Sequence, residues 1–174
     1  MDNCSRECLA IVVGKSLRGV DVVDALEQIK SSSGLVSQRI QTDNGSESIS
    51  KEMDRWAYEH KVTMDYSRPG KPTDNPFVES FNGSFRDECL NAHWFLSLED
   101  AAEKIEVWRQ EYNHYRPHSS LNDMTSAAFI ESYPRDQWQE AMQSLTLPGH
   151  LHRNRWFLQQ WKIPLLQLKN HQFR

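Results

Sequence analysis

The sequence predicts an α/β domain, because short apolar runs of strand length alternate with amphipathic helical segments. The chain has 174 residues, of which 38% are hydrophobic, and this is enough to build the core of one ordinary domain. The alternation starts with the continuous apolar run 8–13, which is typical of a strand buried on both faces. An amphipathic helix is predicted next, over residues 17–30.

The middle of the chain continues the same alternation. Residues 36–42 are predicted to form a second strand, which runs directly into the turn residues and carboxylates of 43–47. A helix is expected over 50–60 and a strand over 62–66. The following stretch, 67–76, has three prolines and a glycine, so we expect a loop there.

Two longer helices follow this loop. Pro76 is a favoured first helical residue, and the helix it starts is expected to reach about Leu90. A second helix is expected after Ser97, which forms a capping box with Asp100. Its apolar stripe consists of Leu98, Ala101, Ala102, Ile105, Trp108, Tyr112 and Tyr115. We expect that stripe to pack in the core, together with Trp56, Trp94 and Trp108.

Composition excludes several classes of protein. No apolar run approaches the ~18 residues that span a bilayer, so we expect a soluble protein without a membrane partner. The three cysteines contain no Cys-x-x-Cys pair, which argues against a disulfide framework and a structural zinc site. His114 and His118 have helical spacing, but Pro117 between them argues against a zinc site there as well.

The C-terminal part of the chain has a different composition. Residues 151–174 hold five basic side chains and no acidic one, although the whole chain carries a formal charge of −4. We therefore divide the chain into a domain over 1–133 and an atypical basic and apolar tail over 134–174. Two interpretations of the tail remain open: a basic DNA-binding extension, or a segment translated out of its ancestral frame, which we favour.

Two carboxylates stand out as candidate site residues. In the helix that starts at Pro76, the predicted core-facing stripe consists of Phe77, Phe81, Phe85 and Cys89. Glu79 is predicted on the opposite face, followed there by Gly83 and Arg86. Asp43 follows the end of a strand, where open α/β sheets place their sites. Paired carboxylates suit hard divalent cations such as Mg²⁺. A solvated polar face is the alternative explanation for Glu79.

Three ordered blocks, 42–47, 67–83 and 112–121, together with 2–7 near the start, resemble the integrase-type core of bacterial insertion-sequence transposases. The resemblance covers about residues 1–130 and is specific because the blocks occur together. It implies a ribonuclease-H-like fold, a mixed sheet flanked by helices, and DNA cleavage and strand transfer with two metal ions. It places the domain in the group that shares the retroviral-integrase D-D-E core.

The resemblance assigns roles to particular residues. Asp43 matches the second metal-binding aspartate and Glu79 the glutamate, so Mg²⁺ or Mn²⁺ is the implied cofactor. Arg86 matches the basic residue that holds DNA near the site. Arg68 and Lys71, in the loop before the helix, are further candidate phosphate contacts, with solvated loop charges as the alternative.

The match also departs from the family pattern. The family has its first catalytic aspartate on a strand upstream of the block 2–7, so we expect an N-terminally truncated core in which that strand and aspartate are missing. Two carboxylates should hold metal weakly. We therefore expect a transposase, a polynucleotidyl transferase by class, that has little or no strand-transfer activity by itself.

Expected partners follow from this assignment. They are DNA, namely transposon ends and target, and either further copies of the chain or a full-length transposase. We expect the protein in the bacterial cytoplasm, and at the nucleoid when DNA is bound. The alternative function is a non-catalytic module that binds DNA or a transposase and regulates transposition.

Overall fold

The computed structural model describes residues 1–34, 36–42, 50–66, 76–132 and 155–158. In this part of the chain, helices alternate with short strands, as predicted for an α/β domain. The α-helices are α1 (Gly19–Ser33), α2 (Lys51–His60), α3 (Pro76–Ser84), α4 (Leu98–Tyr115) and α5 (Ser126–Ser132). A π-helical segment, Phe85–Leu90, continues directly from α3, and a 3-10 turn spans Ser119–Leu121.

The described strands form two small sheets. They are β1 (Arg39–Thr42), β2 (Thr63–Tyr66), β3 (Pro117–His118), β4 (Met124–Thr125) and β5 (Arg155–Leu158). β1 lies between β2 and β5 and runs parallel to both, whereas β3 and β4 pair with each other in antiparallel orientation. The buried residues of β1, from Ile40 to Thr42, fit its interior position in a parallel sheet.

β5 comes from the basic C-terminal tail. Its backbone pairs with β1 in a register that runs from Arg39 opposite Arg155 to Thr42 opposite Leu158. The segment that connects β5 to α5 lies outside the described residues. The domain boundary after residue 133 therefore stays a prediction, and residues 155–158 are the part of the tail that the structure places against the body.

Two clusters of buried side chains form the core. One is built mainly from α3, the π-helical segment and α4, and the other mainly from α1, α2 and β1. The N-terminal segment 8–13 contributes to both: Cys8, Ile11 and Val13 pack in the first cluster, and Leu9 packs against the second. This segment therefore contacts both clusters, but Ala10 and Val12 are exposed, so the burial on both faces that its continuous apolar pattern predicts is incomplete.

The expectation that residues 8–13 form a strand is wrong for the described structure. No described strand pairs with this segment. The backbone of Cys8 is instead bonded to side chains of α4: its N–H donates to Asn113 Oδ1 at 2.8 Å, and its carbonyl accepts from Asn113 Nδ2 at 3.0 Å and Arg109 Nη1 at 2.7 Å. Side chains thus satisfy backbone groups that a neighbouring strand would otherwise satisfy.

The helix boundaries follow the local capping residues. α1 starts two residues later than predicted and ends at Ser33, and it is capped by Gly34, which adopts a left-handed φ of 68° suited to glycine. Ser97 caps α4 by accepting a hydrogen bond from the Asp100 N–H at 3.1 Å. The Asp100 carboxylate accepts from the Leu96 N–H at 2.8 Å, so the predicted capping box forms in part.

Two aromatic residues expected in the core are exposed. Trp94 is 60% exposed and Tyr115 is 79% exposed, whereas Trp56 and Trp108 are buried as predicted. Trp94 precedes Phe95, which is 3% exposed and occupies the core position in the connection before α4. Helical periodicity could not locate Trp94, because this residue lies outside a helix.

The buried amide of Asn113 gives a test of this packing. We expect Asn113→Ala to lower the free energy of unfolding by about 1–3 kcal/mol, because it leaves the Cys8 N–H buried without an acceptor. Urea unfolding would measure the loss. Gln110→Ala, which removes an exposed side chain from the same helix, should change stability by no more than ~0.5 kcal/mol. Equal effects of the two changes would contradict the role given to Asn113.

Candidate functional site

Three of the predicted site residues, Asp43, Arg68 and Lys71, follow strands of the main sheet in the sequence. Thr42 and Tyr66 are register partners at the carboxyl ends of β1 and β2, so both strands end at the same edge. Asp43 comes directly after Thr42, which is fully buried. Asp43 itself lies outside the described residues, as do Arg68 and Lys71, so their predicted roles stay predictions.

Glu79 lies in the first turn of α3 and is exposed. Phe81, Phe85 and Cys89 of the predicted stripe are buried, as the periodicity predicts. Phe77, which the same stripe places in the core, is 37% exposed, and its neighbour Val78 is 3% exposed. Helix first turns favour a carboxylate because the helix dipole is positive there. Within the described part of the chain, Glu79 makes no hydrogen bond or ion pair, so its oxygens are available to a ligand.

Gly83 and Arg86 follow Glu79 along the same helical stretch. Arg86 is exposed and lies in the π-helical segment, and Gly83 is partly buried in α3. A Cβ atom built on Gly83 would meet no described atom within 4 Å. Packing among the described residues therefore does not require a glycine at this helix position, and the surface between Glu79 and Arg86 carries no side chain at Gly83.

An ion pair connects the π-helical segment with Arg116, the residue that follows α4. Arg116 Nη1 donates to both carboxylate oxygens of Glu88, at 2.5 and 2.7 Å. Arg116 also lies 5.7 Å from the centre of the Tyr112 ring. π-helical turns are frequent at functional sites, where they change the direction of side chains along a helix. No local sequence pattern indicates the Glu88–Arg116 pair, because the two residues are 28 positions apart.

The block 2–7 forms a compact loop. Asp2 accepts hydrogen bonds from the backbone N–H groups of Cys4 and Ser5 and from the Ser5 hydroxyl, and its own N–H donates to the Glu7 carbonyl at 2.8 Å. Asp2 thus stabilises the turn of this loop. The loop presents Arg6, whose guanidinium lies over the Phe77 ring, 3.4 Å from its centre. Sequence reasoning missed this contact.

The block 112–121 packs against the same region. The Tyr112 ring meets the Phe81 ring edge-on at 5.1 Å and the His118 ring at 5.3 Å. Burial, together with the nearby Arg116 and Arg6 guanidinium groups, lowers the pKa of His118. The resembling blocks at 2–7, 76–83 and 112–121 therefore meet in space around α3, the helix that carries Glu79.

Among the described residues, no group of three or more His, Cys, Asp or Glu side chains is placed to hold a metal ion. Among the same residues, no helix has the length and apolar character needed to cross a bilayer.

Two family sequence models, both described as Integrase core domain, match the chain over residues 1–72 and residues 60–125. The chain is 43% identical over 133 residues to an insertion element IS407 protein of Burkholderia multivorans and 40% identical over 142 residues to an insertion element IS476 protein of Xanthomonas euvesicatoria. These alignments cover 76% and 82% of this chain but 48% and 41% of the relatives, so the chain spans less than half of their length.

Solved structures show the same fold. A simian T-cell lymphotropic virus intasome matches 70% of this chain and 43% of its own chain with a TM-score of 0.56 at 22% identity. The HTLV-2 integrase catalytic core domain in complex with magnesium matches 70% of this chain and 78% of its own chain with a TM-score of 0.50 at 19% identity. The α/β, ribonuclease-H-like fold class is thus confirmed.

The chain belongs to the integrase core domain family. Its relatives among insertion-element proteins further identify it as an integrase-type core of the insertion-sequence transposase group, as its residue blocks predict.

The open position at Gly83 gives a test of the site geometry. We expect Gly83→Ala to raise the free energy of unfolding by about 0.5–1 kcal/mol, because alanine loses less backbone entropy in a helix and meets no neighbour here. Gly19→Ala is the matched control, since its Cβ would lie 2.0 Å from Ser50 Oγ and should destabilise the protein by about 1–3 kcal/mol. Urea unfolding measures both, and a destabilised Gly83→Ala would show that the position is not open.

Proposed function

We propose that this chain acts in DNA transposition, as the part of an insertion-element transposase that binds divalent metal ions and DNA for cleavage and strand transfer. The observation that carries the proposal is the exposed carboxylate of Glu79. It has no partner among the described residues, and it lies on the helix around which the family-matching blocks meet. The likeness to insertion-element proteins supports the same function.

Asp43 and Glu79 are the residues proposed to hold Mg²⁺ or Mn²⁺. Carboxylate oxygens are the ligands these hard cations prefer, and Glu79 offers such oxygens on an exposed surface. The HTLV-2 integrase core, which has the same fold, is in complex with magnesium. When bound, such ions activate the attacking oxygen and stabilise the leaving oxygen of a phosphodiester. The protein's own task is to hold the Glu79 carboxylate in place and to position the phosphate at the metal site.

Arg86, Arg68 and Lys71 are the residues proposed to contact DNA phosphates. Arginine binds phosphate through two parallel hydrogen bonds, and such contacts position a nucleic acid without reading its sequence. The absence of a side chain at Gly83 leaves room for a DNA backbone to approach between Glu79 and Arg86. We propose transposon ends and target DNA as the partners, in the bacterial cytoplasm, with further copies of the chain or a full-length transposase.

The expected activity of this chain alone is limited. The matched blocks supply Asp43 and Glu79, two of the three carboxylates of a D-D-E core, so we propose weak metal binding and little strand transfer. A module that binds DNA without catalysis and regulates a transposase is the second candidate. It is favoured because the matched blocks supply two of the three carboxylates that catalysis requires. Salt-dependent DNA binding without Mn²⁺ binding would identify it.

Glu79→Gln tests the proposed metal site. We expect it to weaken Mn²⁺ binding by about tenfold or more, because the loss of a ligand should cost at least as much as the loss of a residue that supports one. Mn²⁺-induced water-proton relaxation measures the affinity. Glu99→Gln removes an exposed carboxylate from the first turn of α4 and should leave the affinity within about twofold. Equal affinities of Glu79→Gln and the unaltered chain would remove Glu79 from the site.

Arg86→Gln tests the proposed DNA contact. We expect weaker binding to DNA of any sequence and a reduction of about one in the slope of log affinity against log salt, because one phosphate contact is lost. Fluorescence anisotropy over a salt series measures both quantities. Arg55→Gln, an exposed arginine of α2, is the control and should leave the slope unchanged. The same slope change in both variants would indicate a general charge effect in place of a contact at Arg86.

A further inference from the structure

Arg6 occupies an energetically costly place in the N-terminal loop. Its backbone φ is +61°, a left-handed conformation that costs a non-glycine residue roughly 1–2 kcal/mol. The residue is 7% exposed, and burial lowers the pKa of its guanidinium. Within the described part of the chain its hydrogen-bond acceptors are a carbonyl and a hydroxyl, and no carboxylate pairs with it. Strain of this kind is retained where the surrounding structure or the function requires that residue.

The guanidinium of Arg6 joins three separate parts of the chain. Its Nη1 donates to the Asn3 carbonyl at 2.5 Å, within the loop 2–7. Its Nε donates to Ser120 Oγ at 3.1 Å, which fixes the plane of the group against the 3-10 turn after α4. Its face covers the Phe77 ring at 3.4 Å, and a planar cation stacked on an aromatic ring is attracted by the electrons of the ring.

Phe77 is the second residue of α3, so the contacts of its ring affect the stability of the first turn of that helix. The ring is 37% exposed and lies outside both core clusters, in contrast to the buried Val78 and Phe81. A helix lacks intrahelical partners for its first N–H groups, so contacts made by side chains determine whether its first turn is fixed or frayed. Arg6 provides such a contact to Phe77.

We propose that Arg6 is a positioning residue for Glu79: by stacking on Phe77 and bonding to Ser120, it fixes the first turn of α3 and thereby the carboxylate two residues further on. This inference rests on the proposed function, in which Glu79 is a metal ligand. It assigns the block 2–7 a task at the site, although none of its side chains has to touch metal or DNA. Residues that orient ligands typically change metal affinity by about 10–100-fold when altered.

Arg6→Lys is the variant that tests the proposal. Lysine keeps the positive charge but lacks the planar group that both stacks on Phe77 and bonds to Ser120. Arg55→Lys is the control, since Arg55 lies on α2, its side chain is 73% exposed, and it pairs with Glu59 of the same helix. Phe77→Leu removes the ring from the other side of the contact and serves if Arg6→Lys does not fold.

Two measurements on the full chain separate positioning from general stability. Hydrogen exchange detected by mass spectrometry should be faster over residues 76–84 in Arg6→Lys and in Phe77→Leu, but unchanged there in Arg55→Lys. Water-proton relaxation should show Mn²⁺ binding weakened about tenfold in Arg6→Lys and within about twofold of the original in Arg55→Lys.

Each outcome has a definite meaning. Unchanged exchange over 76–84 in folded Arg6→Lys and Phe77→Leu would overturn the proposal, and so would equal losses of Mn²⁺ affinity in Arg6→Lys and Arg55→Lys. If the unaltered chain binds no Mn²⁺, the proposed function fails, together with the inferred consequence for Glu79. The exchange measurement then still decides whether Arg6 fixes the first turn of α3, so the two failures are distinguishable.

Discussion

The N-terminal segment is held in this fold by side chains of α4 that bond to its backbone. Asn113 closes two hydrogen bonds on Cys8 and Arg109 adds a third, in a region that is closed to water. A buried backbone group left without a partner would cost about 1–3 kcal/mol, so these bonds fix the position of the segment along the helix. Both core clusters then pack against it, which joins the α1–α2 side of the molecule to the α3–α4 side.

The same fixed segment carries the loop that supports the candidate site. Asp2 closes the loop 2–7 upon itself, and Arg6 leaves it toward Phe77 and Ser120. On the other side of α3, the Tyr112 ring contacts Phe81. The helix that carries Glu79 is therefore held at its first turn by a cation and along its buried face by aromatic rings. Polar residues of the family-matching blocks, such as Asp2 and Arg6, therefore stabilise the structure in addition to any catalytic role.

The position of Glu79 shows how much of the candidate site the sequence could predict. Proline at the first helical position and the spacing of Phe77, Phe81, Phe85 and Cys89 are local features, and they correctly placed the carboxylate on the exposed face, although Phe77 is itself 37% exposed. The continuation of α3 as a π-helix could not be predicted in the same way. Neither could the contact of Arg6 with Ser120, because these residues are 114 positions apart and no periodicity links them.

The sequence by itself determined the order of α1, β1, α2, β2, α3 and α4, the buried positions of Phe81, Phe85, Ile105 and Trp108, and the family, because periodicity, capping residues and motif blocks are properties of short segments. Only the tertiary structure decided that residues 8–13 bond to α4 instead of forming a strand, and that residues 155–158 pair with β1. The physical reason is that an apolar pattern records burial from water. It does not specify which distant group will satisfy the buried backbone.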